Sequence, residues 1–77
     1  MGELLETLRN TDTQMYVEHC ELGIRIGFIH VNAGEPKKFE FIVSDADIGA
    51  FDWFDINGYI MRKLEWFLRQ IGVMNYA

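Results

Sequence analysis

Residues Ile24 to Val43 read IRIGFIHVNAGEPKKFEFIV, two alternating runs on either side of a turn. In the first run Ile24, Ile26 and Phe28 fall on one side and Arg25, Gly27 and Ile29 on the other. In the second, Phe39, Phe41 and Val43 alternate with Lys38, Glu40 and Ile42. A period of two marks a strand with one buried face. The segment Asn32-Ala33-Gly34-Glu35-Pro36 between them has strong turn chemistry. The reading is therefore a hairpin of strands 24–31 and 37–43. Its core face is Ile24, Ile26, Phe28, Phe39, Phe41 and Val43. Gly27 in mid-strand predicts a bulge or a close approach to the backbone.

Upstream of the hairpin, Gln14 to Cys20 alternates as well, and Glu21-Leu22-Gly23 reads as a tight connection to the next strand. Short connections imply antiparallel pairing, hence a three-stranded meander. Residues 2–9 form a short helical candidate with Leu4, Leu5 and Leu8 on one side, closed by the turn formers Asn10, Thr11 and Asp12. Downstream, Ser44-Asp45-Ala46-Asp47 has capping-box spacing with Asp in place of Glu. A single helical turn follows, and then a long helix placed at 54–71 and capped by Asp52 or Asp55. Gly72 is its C′ residue, and Val73 supplies the apolar contact that often accompanies one. The expected fold is α+β over a single domain, 1–77: a three-stranded antiparallel sheet, a long C-terminal helix packed on one face, and a short N-terminal helix.

On a helical wheel the long helix is apolar over too wide an arc. Ile56, Ile60, Leu64, Phe67 and Ile71 form the core stripe within about 80°. Met61 and Leu68 flank it on one side, and Tyr59 and Trp66 on the other, beside Lys63 and Gln70. A helix resting on one sheet needs a stripe only slightly wider than about 100°. Two explanations stay open. The N-terminal helix and the tail cover the flanks, or Tyr59 and Trp66 belong to an exposed patch for self-association or a partner. Aromatic residues beside cations are the types that dominate binding hot spots.

The chain has 77 residues, 12 acids and 7 bases, for a formal charge of −5. Five of the acids (Glu40, Asp45, Asp47, Asp52 and Asp55) lie between Phe39 and Met61, where no Lys or Arg occurs. The rest holds seven acids and seven bases and is neutral, so the net charge sits in one segment. Such a segment repels phosphates and disfavours direct nucleic-acid binding. It favours a partner with a basic surface. Helix capping accounts for only one or two of the four aspartates, and the rest read as ordinary solvated surface or as a docking site for an electropositive partner. A calcium loop is also disfavoured, because Ile56 stands where a bidentate Glu belongs.

Catalytic signals are weak. His19 and Cys20 are adjacent, so in a strand they point to opposite faces, and no third group orients His30. The two histidines read as partly exposed strand residues and Cys20 as a buried small hydrophobe. With one cysteine and no phosphate loop or metal motif, the expectation is a non-enzyme with no metal and no cofactor. The lone cysteine, the acidic N-terminus and the short apolar runs point to a cytoplasmic protein that does not meet a membrane.

This order of elements, with its acidic helix-capped segment before the long helix, resembles small phage-encoded inhibitor proteins of the anti-CRISPR type. The likeness is one of layout and charge over most of the chain, without a shared motif. It implies a stoichiometric inhibitor that occupies a basic, nucleic-acid-binding surface of a host protein. The expected contact residues are Asp45, Asp47, Asp52 and Asp55 for charge, with Phe51, Trp53, Tyr59 and Trp66 for area. The alternative is a homo-oligomeric structural or adaptor domain, such as a homodimer, that closes the aromatic helix face against a copy of itself.

Overall fold

A computed structural model describes residues 2–32, 34–50 and 53–73. Helix α1 (Gly2–Asn10) leads into strands β1 (Thr13–Cys20), β2 (Gly23–Asn32) and β3 (Glu35–Ser44). Helices α2 (Asp45–Ala50) and α3 (Trp53–Gln70) follow. The strands form one antiparallel sheet in the order β1-β2-β3, the expected meander.

The register sets the two faces. Met15 pairs with Phe28 and Val17 with Ile26; Ile24 pairs with Val43, Ile26 with Phe41 and Phe28 with Phe39. These residues share one face. Ile26, Phe28 and Val43 are buried there together with Leu4 and Leu8 of α1 and Ile60, Leu64, Phe67 and Leu68 of α3. The rings of Phe28, Phe39, Phe41 and Phe67 pack as a cluster with centroids 5.8–6.5 Å apart, within the range in which aromatic pairs attract.

The hairpin loop is tighter than the five-residue turn expected. Asn32 already pairs with Glu35, and Pro36 lies inside β3 opposite Val31. Because β3 is an edge strand, Pro36 can sit there without breaking a central ladder. Gly27 carries no bulge: pairing runs unbroken through Tyr16, Gly27 and Glu40. The close approach is the cause instead. The Tyr16 ring lies across Gly27, in the space an added Cβ would take.

Three further expectations are corrected by burial. Leu5 is exposed, since α1 turns only Leu4 and Leu8 inward. His30 is buried on the core face, with Nδ1 3.4 Å from the Thr13 hydroxyl and Nε2 without a partner among the described residues. Cys20 is half-buried rather than buried, because it falls on the sheet face opposite the helices.

Helix ends follow their local chemistry. Ser44 Oγ accepts from the Asp47 N–H at 3.2 Å, which caps α2. At the far end of α3, the Gly72 N–H reaches the Arg69 carbonyl (3.2 Å) and the Val73 N–H reaches the Leu68 carbonyl (2.9 Å). With Gly72 at φ 79°, this is a Schellman ending. The helix starts one residue before the expected Phe54 and ends at Gln70, one before Ile71.

Candidate interaction surface

The wide apolar arc of α3 is divided between two neighbours. On one flank α1 lies beside α3, sharing a shallow groove lined by Leu4, Asn57 and Met61, and Leu68 is fully buried. On the other flank aromatic side chains of α3 reach over the edge strand β3. Trp66 tilts onto Phe39 at 5.0 Å, and the edge of Tyr59 meets Phe41 at 5.9 Å. Nothing among the described residues covers Trp66, and 49% of it stays exposed.

A groove of about 510 Å³ runs between β3 and α3, lined by Phe39, Tyr59, Arg62, Lys63 and Trp66. Lys63 Nζ sits 5.3 Å from the Tyr59 ring centre and 5.8 Å from that of Phe41, so both rings face a cation. Neither Arg62 nor Lys63 has a carboxylate partner among the described residues. The groove is therefore aromatic with a positive rim, inside a protein of net charge −5.

Arg62, Lys63 and Phe39 were not among the expected contact residues. The signal for Lys63 was in the sequence, since it stands four residues after Tyr59 and three before Trp66, on the same helix flank. Alternation places Phe39 wholly in the core, because it does not show which end of a strand a helix leaves uncovered.

The acidic segment lies elsewhere. Asp45 and Asp47 are exposed in the first turn of α2 and have no ion-pair partner among the described residues. The Asp45 N–H is held by the Leu22 carbonyl at 3.1 Å, which fixes the turn beside the start of β2. From Phe39 to Asp45 is six residues, about 20 Å along a strand. A protein–protein interface of standard size (about 800 Å² per partner) spans that distance. Phe51 and Asp52 lie outside the described residues. Trp53 and Asp55 belong to the first turn of α3, and their side chains lie outside the description.

The sheet face away from the helices carries a polar network. Tyr16 donates a hydrogen bond to Glu40 Oε2, and Lys38 Nζ lies 5.5 Å from the Tyr16 ring centre and 3.9 Å from Glu40. The bond from Tyr16 holds the Glu40 carboxyl below the usual carboxylate range. Partial burial and the same bond raise the Tyr16 phenol, and Tyr16 and Glu40 together raise the Lys38 ammonium. Arg25 and Glu18 pair at 3.3 Å on this face.

Cys20 belongs to this outer face, whereas His19 and His30 belong to the core face, His19 exposed and His30 buried. These three groups are not brought together. Among the described residues no cluster of three or more His, Cys, Asp or Glu is placed to hold a metal ion, and no helix is long and apolar enough to cross a membrane. A scan against protein families, a search of curated proteins and a search of solved structures each returned no match.

Proposed function

We propose that this protein is a non-catalytic protein-binding module that works by occupying a surface of its partner along the β3–α3 edge. One observation carries the reading: Trp66 stands half in solvent on a rigid bed of phenylalanines, at a groove with a cationic rim. Half-exposed indole beside Tyr and Arg is the composition of a binding hot spot, with Lys63 at its polar rim. The aromatic groove supplies the hold. Asp45 and Asp47 supply long-range attraction to a basic surface, which acts on the association rate. Such a module fits the stoichiometric inhibitor of a host nucleic-acid-binding protein that the layout of the chain implies. The basic part of the partner then meets the α2 turn, and a less basic part meets the groove.

A second reading, self-association, is favoured by the same edge, because a strand with an open side readily pairs with another strand. The module reading is tested by affinity capture from a bacterial lysate on immobilised wild-type chain, Trp66→Ala and Asp45→Asn/Asp47→Asn. Capture should fall at least tenfold with Trp66→Ala. The double Asn variant should bind more slowly and with a flatter salt dependence. Equal capture by all three at every salt concentration would refute the module reading.

A further inference from the structure

We infer that the β3–α3 edge receives a second copy of this chain, by antiparallel β3–β3 pairing about a two-fold axis through Phe39. The inference rests on the reading of this edge as a protein-docking surface and follows its second reading, self-association, so that a copy of the chain takes the groove in place of a foreign partner. The first ground is the backbone. Asn32 and Glu35 close a two-residue loop, so they form a hydrogen-bonded pair. Alternation then turns the N–H and C=O groups of Glu35, Lys37, Phe39, Phe41 and Val43 toward β2. Those of Lys38, Glu40 and Ile42 turn outward to the open edge. Pro36, which has no N–H, falls on the outward set and leaves the β2 ladder intact.

The second ground is charge, which selects among the registers the open edge allows. A two-fold pairing must match outward residues with outward residues. Centring it on residue 38 sets Lys38 against its own copy, and centring it on residue 40 sets Glu40 against its own copy. Both place like charges directly opposite and are disfavoured. A centre at Phe41 leaves both charges facing neutral residues and forfeits the first part of the strand. A centre at Phe39 sets Lys38 of each copy against Glu40 of the other and Pro36 against Ile42. It also overlaps almost the whole strand from Glu35 to Ser44. The charges that blunt this edge against foreign strands thus choose its own register.

The third ground is the aromatic groove. In this register the two Phe39 residues form a non-hydrogen-bonded pair, the kind that brings side chains closest. Trp66 rests on Phe39 at 5.0 Å, so the exposed indoles of both copies flank the axis and cover each other. The three strands of each copy then continue into one sheet. The acidic α2 turns stay at its two ends, free to face a basic partner. The other open edge, β1, has no such selector: its outward residues Thr13, Met15, Val17 and His19 include no Lys, Arg, Asp or Glu.

The test is charge reversal with rescue by mixing. Full-length Lys38→Glu and Glu40→Lys are each run alone and as an equal mixture in sedimentation velocity, across micromolar to millimolar concentration. Each alone places two like-charged pairs at the axis and should dimerise on the order of 30-fold more weakly than wild type. The mixture opposes Glu to Lys at every pair and should recover the dimer, which a folding defect in either variant cannot do. In wild type, the outward amides of Lys38, Glu40 and Ile42 should exchange hydrogen more slowly as concentration rises. A chain that stays monomeric, or a mixture without rescue, overturns the second-copy assignment. The edge reading then survives if Trp66→Ala still abolishes partner capture. A dimer that leaves those amides unprotected and Trp66 open to a fluorescence quencher overturns the second-copy assignment too.

Discussion

Gly27 has no side chain because Tyr16 occupies that space, and this one position ties β1, β2 and β3 together. Gly27→Ala forces the Tyr16 ring off the sheet and breaks its bond to Glu40. The expected loss is about 1–2 kcal/mol in urea unfolding. The two sites share one contact, so Tyr16→Ala should be less harmful in the Gly27→Ala background than in wild type. Additive losses would mean that ring and glycine are uncoupled. Glu40 gives a pH signature at the same place. Its folded pKa is lowered, so its contribution is complete above its unfolded value and is lost as pH falls through the folded one. The melting-temperature gap between wild type and Glu40→Gln should therefore be widest near neutrality and shrink as pH drops below the ordinary carboxylate value of about 4.5. Tyr16 works in the opposite sense. Its raised pKa means that its contribution is lost as pH climbs through the phenol's titration above 10.0.

At the scale of elements, both helices that follow the sheet depend on single end residues. Ser44→Ala removes the acceptor for the Asp47 N–H at the start of α2, a loss of about 1 kcal/mol. Gly72→Ala places a Cβ on a residue at φ 79° and should lose about 1 kcal/mol by the left-handed backbone penalty. Thermal melts of the two variants check both figures. A melting temperature for Gly72→Ala equal to that of wild type would show that the Schellman ending contributes little. Strand β3 shows a different kind of element logic. Its charges Lys38 and Glu40 pair with each other and with Tyr16 within one chain, and the proposed second copy would set them against each other across the axis.

Across the whole molecule, α3 has two unlike sides. Leu64 and Leu68 are fully buried and hold the helix to the sheet, whereas Trp66 between them is half exposed. Leu64→Ala should destabilise the fold by about 2–5 kcal/mol, as expected for truncation in a closed core. Trp66→Ala should move stability by less than half as much while removing binding. Denaturant unfolding and partner capture, measured on the same two variants, separate the roles. If Trp66→Ala unfolds the chain as readily as Leu64→Ala does, the indole is a core residue and not a docking one. The charge layout is also a property of the whole molecule. The groove is rimmed by Arg62 and Lys63, and the acids Asp45 and Asp47 follow at the far end of β3.

Local chemistry alone determined the architecture. Alternation in IRIGFIHVNAGEPKKFEFIV dictates two strands and their buried face, because a period of two has one solution when one face is dry. Ser44 and Gly72 mark helix ends because unsatisfied backbone groups need a hydroxyl at one end and a left-handed turn at the other. Leu5, His30 and the flanks of α3 were decided only when the elements packed. A wheel or an alternation says which residues share a face, but not whether a neighbour covers it. Burial of His30 depends on the packing of the core face around it and Thr13, seventeen residues earlier, and exposure of Trp66 depends on the flank of α3 it occupies. The aromatic groove arises the same way: Phe39, Tyr59, Lys63 and Trp66 come together only because α3 lies along an edge strand that has no fourth strand beside it among the described residues.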